Sequence, residues 1–491
     1  MKNVAEMIRP NLQEIELLAK TYNTIPICKE IYADVITPIT LLRKLSQISR
    51  KYYLLESIEG GEKWARYSFL GFDPVSHVTC KDNIVEVDGK NPKIINTNKP
   101  LEVLKKLLFK YHAPQLSDMP PFTGGFVGYF AYSMIGYAEP KLKIKKAGKD
   151  FDLMLFEKVI AYDHLKQKIC IIVNMHTDQI LENYKKAITE IEEIFKIITD
   201  QKTLCELYSD EKVDFKCNVT KEHYCDMVEK TKEYIKDGDI FQAVISRRFE
   251  SEYKSSLINA YRVLRTTNPS PYMVYMQIDD LEIMSASPET LVKLQDGRLS
   301  TFPVAGSRPR GITYEQDIEL EKELLNDEKE LSEHNMLVDL ARNDIGKISE
   351  FSSVEVIDYM MIHRYSKIMH IASCVESNLK SGKDAIDAIE TILPAGTLSG
   401  APKIRACEII EELEKEPRGI YGGAIGYLDF AGNLDTCIAI RMAVKKDNRV
   451  YVQAGGGIVA DSVPETEYIE AENKAKAVIN AIINAREVED L

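Results

Sequence analysis

The chain has 491 residues, with 63 basic and 76 acidic side chains giving a net charge of −13, and 45% hydrophobic against 28% charged residues. That balance excludes a mainly disordered chain. The acidic surplus argues against a nucleic-acid binder, which needs a basic face to displace counterions.

At ~150 residues per domain the length allows about three domains, or one large α/β unit. No run approaches the roughly 20 apolar residues that span a bilayer, so no membrane association is expected. Met1–Pro10 is charged and has no apolar h-region, so no signal peptide is expected. The nine Cys are scattered without a CxxC pair. They read as reduced thiols of a cytoplasmic protein, with no zinc spacing among them.

Residues 1–20 read as a short polar–apolar leader helix, and residues 22–200 as short strands and turns, among them Tyr52–Glu56, Val85–Val87 and Lys168–Val173. Phe122–Tyr137, rich in Gly, Phe and Tyr, fits a buried strand and turn. Thr177–Ile198 has helical periodicity through Ile180, Tyr184, Ile188, Ile191 and Phe195. A polar stretch follows, and the expected division is an N-terminal region 1–200, a linker 201–220 and a C-terminal domain 221–491. His223–Lys236 reads as a helix ending at Asp237-Gly238-Asp239, and Ala243–Glu250, Tyr272–Ile278 and Ile283–Ala286 as strands. Glu315–Leu340 is one long amphipathic helix or a pair. Ala385–Leu393 is a helix stopped by Pro394, and Lys403–Leu413 another. Gly422–Phe430 and Leu434–Val444 form a hairpin about Gly432-Asn433. Val450–Gln453 is a strand running into Gly455-Gly456-Gly457, and Glu465–Ala485 closes the chain as a helix. The pattern predicts an α+β fold with largely antiparallel sheets and helices packed outside.

Five features bear on chemistry. Glu330 and Glu333 share one helix face, and Glu467 and Glu470 another. Facing pairs would suit Mg²⁺, a hard ion that takes oxygen ligands, although such spacing also suits a solvated helix surface. The glycine run either makes a tight turn or brings backbone N–H groups to an anion. Pro394–Lys403, PAGTLSGAPK, is an unusual loop with two hydroxyls, read as a connection or a functional segment. Arg441, amid apolar residues in Ile438–Met442, requires a carboxylate or ligand partner, whereas a lone His370 suits a structural role as well as a catalytic one.

Five ordered segments carry a resemblance: TFPVAGSRPRG (Thr301–Gly311), DEKELSEHNMLVDLARND (Asp327–Asp344), PAGTLSGAPK (Pro394–Lys403), RGIYGGAIGY (Arg418–Tyr427) and Gln453–Lys474. Together they resemble the chorismate-utilising enzymes over nearly the whole chain, and most closely the branch that adds ammonia to chorismate, releases pyruvate and forms anthranilate. Two positions separate the branches. Relatives that make aminodeoxychorismate carry a nucleophilic Lys where Ala305 stands, and water-adding relatives carry a general-base Lys where Gln242 stands. Gln cannot act as a base, which suits ammonia, itself a nucleophile.

The resemblance implies a chorismate-utilising enzyme fold with an N-terminal regulatory region. It makes Glu333 and Glu470 direct Mg²⁺ ligands, with Glu330 and Glu467 supporting them. Glu289 becomes the acid that protonates the departing C4 hydroxyl, and Thr397, His370 and Gln242 the other active-site positions. Tyr421, Arg441, Lys474 and the backbone of Gly455, Gly456 and Gly457 would hold the substrate carboxylates. The chain has no GxCxGxQ glutaminase motif, so a glutamine amidotransferase small subunit is implied as partner, usually in a heterotetramer. Leu54-Leu55-Glu56-Ser57 resembles the family element that binds feedback tryptophan, with Glu56 toward the amino group and Ser57 toward a polar edge. Its partner is Asn268–Met273, whose Pro271, Tyr272 and Met273 would meet the indole and backbone, with Tyr427 and Cys437 lining the pocket.

Overall fold

Apolar side chains that alternate along a strand must be buried on one face, and strands apolar on both faces must be covered twice. In the computed structural model, which describes residues 8–57, 66–200, 204, 212–364 and 368–488, this produces two large antiparallel sheets with helices on their outer faces. The alternation is explicit in Lys51–Glu56: Tyr53 and Leu55 point between the sheets, and Tyr52 and Leu54 point outward to the helical layer. The inter-sheet core joins Tyr53, Phe69 and Val274 of one sheet to Val127, Phe156 and Ile425 of the other. Among the described residues, no helix is long and apolar enough to cross a membrane.

Both sheets draw strands from the two sides of residue 220. In the first, Lys51–Glu56 pairs with Tyr272–Ile278, setting Leu55 against Val274 and Glu56 against Met273. In the second, Gly125–Phe130 pairs with Ala424–Asp429, setting Gly128 against Gly426. Residues 201–203 and 205–211 of the expected linker lie outside the described residues.

Most expected elements stand within a residue or two of their predicted ends. The leader is a short strand, Ile8–Arg9, followed by a helix, Leu12–Leu18. The long acidic helix is a pair, Tyr314–Leu325 and Glu328–Gly346. The second starts where the Asp327 carboxylate accepts from the backbone N–H of Lys329 and Glu330, a side-chain cap that starts a new helix.

One expectation fails in an informative way. The strand expected over Leu434–Val444 is two strands in different sheets. Leu434–Ile438 completes the hairpin in the second sheet, and Met442–Lys446 belongs to the first. Arg441 is therefore not within a strand but in the crossover between sheets, at φ 49°. Apolar alternation continues through the link because both sheets bury this segment, so periodicity does not reveal the change of sheet.

Gly128 lies so close to the neighbouring strand that an added Cβ would run into the carbonyl oxygen of Asp152. Backbone cannot yield as a side chain can. Gly128→Ala is expected to cost ~2 kcal/mol or more, read as a lowered urea midpoint at unchanged m-value.

Candidate active site

The glycine run forms neither a turn nor a loop. It lies inside the strand Arg449–Ile458, which pairs with Gln242–Glu252 from Arg449 through Ile458. On its other side Met442–Lys446 accompanies it only as far as Val452. Beyond that point Gly455, Gly456 and Gly457 border an edge that no described strand pairs. Their lack of side chains has a local cause. A Cβ on Gly455 would meet Ile245 O, one on Gly457 would meet the Gln242 amide, and one on Gly456 would come within 2.8 Å of Glu467 Oε2. Alternate residues face opposite ways, so Gln242 and Glu467 reach this strand from opposite faces.

A cavity of about 630 Å³ opens beside this edge, a size suited to a small organic ligand. Glu289, Ala305, His370 and Arg441 line it, as do Glu330 and Glu333 from the acidic helix and Glu470 and Lys474 from helix Pro464–Ile483. Thr397, Gln242, Tyr421, Glu467 and Gly455–Gly457 do not line it. Thr397 Oγ1 donates to Glu289 Oε1 at 3.0 Å. Lys474 Nζ donates to Gly455 O at 3.2 Å and pairs with Glu470 Oε1 at 2.6 Å. The Ser462 hydroxyl donates to the Glu467 carboxylate at 2.8 Å. Tyr421 is buried in electrostatic reach of Arg441 and Arg418 but lines a separate cavity of about 620 Å³. Gln242 is buried, and its Oε1 has no hydrogen-bond partner.

Burial sets the proton affinities. Glu289 opens partly onto the cavity, yet enough protein surrounds its carboxyl to push it up to about 7. The Thr397 hydroxyl opposes that rise by stabilising the carboxylate. His370 Nδ1 lies 3.1 Å from Gly306 O. A carbonyl only accepts, so Nδ1 carries the proton, and burial holds the imidazole below its ordinary range. Burial also lowers Arg441, with Tyr421 and Glu470 opposing. Desolvation raises Glu333, and the charges of Glu330 and Glu470 add to it. Desolvation raises Glu467 as well, with Glu470 contributing.

The acidic residues thus feel one another, although among the described residues no three His, Cys, Asp or Glu stand close enough to hold an ion. The donors offered are all carboxylate oxygens whose mutual repulsion a divalent cation would relieve. That chemistry fits Mg²⁺.

A second cavity, of about 310 Å³, is lined by Leu55, Glu56 and Ser57 on one strand and Pro271, Tyr272 and Met273 on its neighbour, with Tyr427 and Asp435. The Glu56 carboxylate is already engaged: Tyr261 donates to it at 2.7 Å, Arg265 at 2.8 and 3.1 Å, and Ser68 at 3.2 Å. Cys437 is buried behind the cavity lining. Pro271 lines both cavities. The Tyr272 hydroxyl donates to Asp435 Oδ1 at 2.8 Å and lies 3.0 Å from Thr290 Oγ1, beside Glu289 in the chain.

Two pairs had no role assigned from sequence, although their motifs stood out. Arg418 is buried. It donates to Glu414 at 2.7 and 2.9 Å, to Leu398 O at 2.6 Å and to Val244 O at 2.6 Å. Asp344 and Lys403 form the other pair, at 2.8 Å. The i,i+4 spacing of Glu414 and Arg418 was a signal, but most such pairs are solvent-exposed. Removing one member of this buried pair leaves an uncompensated charge. Glu414→Leu is expected to lose about 3–5 kcal/mol of stability. Replacing both residues with apolar ones should recover only part of it, because Leu398 O, Val244 O and the Ser246 N–H lose these bonds, and chemical denaturation of the two variants tests this.

A model of the family described as chorismate binding enzyme matches residues 50–480. Anthranilate synthase component 1 of Acetivibrio thermocellus is 47% identical, covering 98% of this chain and 100% of that protein. Its counterpart from Aquifex aeolicus is 44% identical, with 98% and 99% covered. The crystal structure of anthranilate synthase component I from Streptococcus pneumoniae superposes with a TM-score of 0.75 at 36% identity, covering 91% of this chain and 98% of that one. The menaquinone-specific isochorismate synthase of Escherichia coli shares the fold at a TM-score of 0.70 and 18% identity, with 96% and 98% covered.

Proposed function

The chain belongs to the chorismate-binding enzymes, and from that premise we propose that it is the large, Mg²⁺-dependent subunit of a cytoplasmic anthranilate synthase. The reaction joins chorismate and ammonia and yields anthranilate, pyruvate and water, the first committed step toward tryptophan. The observation that carries this reading is Glu289. It is a carboxyl that holds its proton to about 7, and it lines a cavity together with Arg441 and Lys474. An acid that must protonate a departing hydroxyl near neutral pH needs a raised pKa, and an anionic substrate needs cations to hold it.

Arg441 and Lys474 would hold the substrate carboxylates together with Tyr421 and the backbone of Gly455, Gly456 and Gly457. Ammonia adds to C2 of the ring. Glu289 gives its proton to the C4 hydroxyl, which leaves as water, and Thr397 steadies the carboxylate left behind. Loss of pyruvate from the aminodeoxyisochorismate then restores the aromatic ring, with neutral His370 beside the reacting ring. Gln242 supplies no base, which favours ammonia over water as nucleophile. Ala305 supplies no competing amine. Glu333 and Glu470 would hold the Mg²⁺ ion, with Glu330 and Glu467 supporting. Bound there, it neutralises these carboxylates and the ring carboxylate of the substrate.

Ammonia is scarce at neutral pH, so a glutamine amidotransferase small subunit is the proposed source, in a heterotetramer. The smaller cavity is the proposed tryptophan site, with Ser57, Pro271, Tyr272 and Met273 as contacts. Because its carboxylate is engaged, Glu56 contributes backbone and shape there and holds helix Ile258–Thr267 in place. In this reading residues 1–200 bring the inhibitor-binding element, and residues 221–491 the catalytic groups.

Purified chain with chorismate, Mg²⁺ and ammonium should generate anthranilate fluorescence that added tryptophan suppresses. Chorismate consumed without fluorescence would point to another branch of the family. Glu289→Gln should lower kcat by about 10²–10⁴-fold with little change in KM, and an active variant would remove Glu289 from the acid role. The acid works protonated. At fixed free ammonia, kcat/KM should therefore fall as pH rises through about 7. Ser57→Phe should raise the tryptophan needed for half-inhibition roughly tenfold or more, equivalent to at least ~1.4 kcal/mol. Unchanged inhibition would place the regulatory site elsewhere.

A further inference from the structure

The loop that carries Thr397 is tied at both ends by one side chain. It leaves helix Ala385–Ile392 and enters helix Lys403–Leu413. Lys403 Nζ donates to Ile392 O at 2.9 Å, closing the loop, and pairs with Asp344 Oδ1 at 2.8 Å. Asp344 lies near the end of the acidic helix whose opposite end carries Glu330 and Glu333. Both side chains of the pair are close to nine-tenths buried, Lys403 at 12% and Asp344 at 10% exposure. Lys347, half-exposed, stands 3.7 Å from the same oxygen.

Behind the loop is a cavity of about 30 Å³, room for roughly one water. Glu289, Thr397 and Asp344 all line it, so the ion pair and the acid share a wall. An ammonium is costly to bury, and Leu or Met would fill the same space more cheaply. Burial pulls Lys403 below its ordinary range, while Asp344 opposes that shift. The charge is explained if it fixes geometry.

We propose that Lys403, held by Asp344, is a positioning residue for the general acid: it fixes the loop that aims the Thr397 hydroxyl at Glu289. This rests on the reading of Glu289 as the acid. Glu289 shares the larger cavity with His370, Arg441, Lys329, Glu330, Glu333, Glu470 and Lys474, and the small one with Asp344. Its direct hydrogen bond comes from Thr397. That bond favours the carboxylate, so a Thr397 no longer aimed leaves Glu289 holding its proton more tightly. The activity limb set by Glu289 then moves to higher pH. The displaced acid also works more slowly, because a small misplacement of a catalytic group lowers the rate.

The test uses the full chain and four variants: Lys403→Met, Lys403→Arg, Thr397→Val and the double variant Lys403→Met/Thr397→Val. Lys403→Met should lower kcat roughly tenfold or more, leave the chorismate KM within about twofold, and move the limb upward. Thr397→Val should move the limb in the same direction. The double variant should show no further movement, because both changes remove one interaction. Lys403→Arg should recover part of both effects. A Lys403→Met enzyme with a lowered melting temperature but wild-type kcat and limb would overturn the proposal, as would limb shifts that add in the double variant. If Lys403→Met does not fold, Asp344→Asn serves, since it keeps shape and removes the counter-charge: a limb moved upward supports the proposal, and an unmoved limb overturns it. Activity retained by Glu289→Gln would instead sink the general-acid reading on which the proposal stands.

Discussion

The geometry of the site depends on one buried guanidinium. Arg418 binds Glu414 and the carbonyls of Leu398 and Val244 together. Leu398 adjoins Thr397, and Val244 pairs with Gly457. Glu414 Oε1, which accepts from Arg418 Nη2, also accepts from the N–H and hydroxyl of Ser246, on the same strand as Val244. The loop that bears Thr397 and the strand that pairs with Gly455–Gly457 are thereby fixed to one rigid fork. A single cation could not hold three directions at once with a lysine's geometry, because only the planar guanidinium presents several fixed donors. Alone, such a pair adds little net stability, since desolvation offsets most of its attraction. Its effect is to select one arrangement of segments that are distant in sequence.

The second constraint is topological. A sheet edge normally invites another strand. Here Met442–Lys446 stops accompanying its neighbour at Val452, because the chain has just crossed from the other sheet at Ala439–Arg441. The same crossing leaves an open backbone edge at Gly455–Gly457 and puts Arg441 at its mouth in a left-handed conformation, φ 49°. Such a conformation costs of order 1–3 kcal/mol in a residue with a side chain, and it persists when surroundings over-determine it. The exposed edge and the cation beside it therefore have a common cause.

Much of the fold was legible because its signals are local. Strand alternation at Lys51–Glu56, the helical repeat at Ile180–Thr199 and the stop at Pro394 each follow from a few neighbouring residues. What could not be read is what depends on pairing over long distance. Nothing in Leu434–Val444 marks the change of sheet, and nothing in the glycine run distinguishes a turn from an edge strand until its partner is known. The candidate site divides in the same way. Glu333, His370 and Arg441, singled out from spacing and residue chemistry, and Glu289, implied by the family resemblance, converge on one cavity. Glu56 was also singled out, but its carboxylate is engaged by a helix more than 200 residues later in the chain. Arg418 and Lys403 stood within conspicuous motifs without a role, because each joins a carboxylate to backbone carbonyls of other segments, a combination no sequence pattern announces.

The two cavities bear on how the proposed inhibition would work. They share Pro271, and the hydroxyl of Tyr272 sits between Asp435 and Thr290. Tyr272 donates to the carboxylate, so the Thr290 hydroxyl donates to Tyr272. The backbone carbonyl of Glu289, next to Thr290, is held in turn by the N–H of Ile438 at 3.0 Å. Allosteric coupling of ordinary size is about 1–3 kcal/mol. A net hydrogen bond is worth about 0.5–1.5 kcal/mol, and one to a charged group about 1.5–3 kcal/mol. The bonds that meet at Tyr272 are of the same size as such a coupling. A ligand that preferred a different setting of this one side chain would act on Glu289 through Thr290, its neighbour in the chain, without any large rearrangement of the sheets.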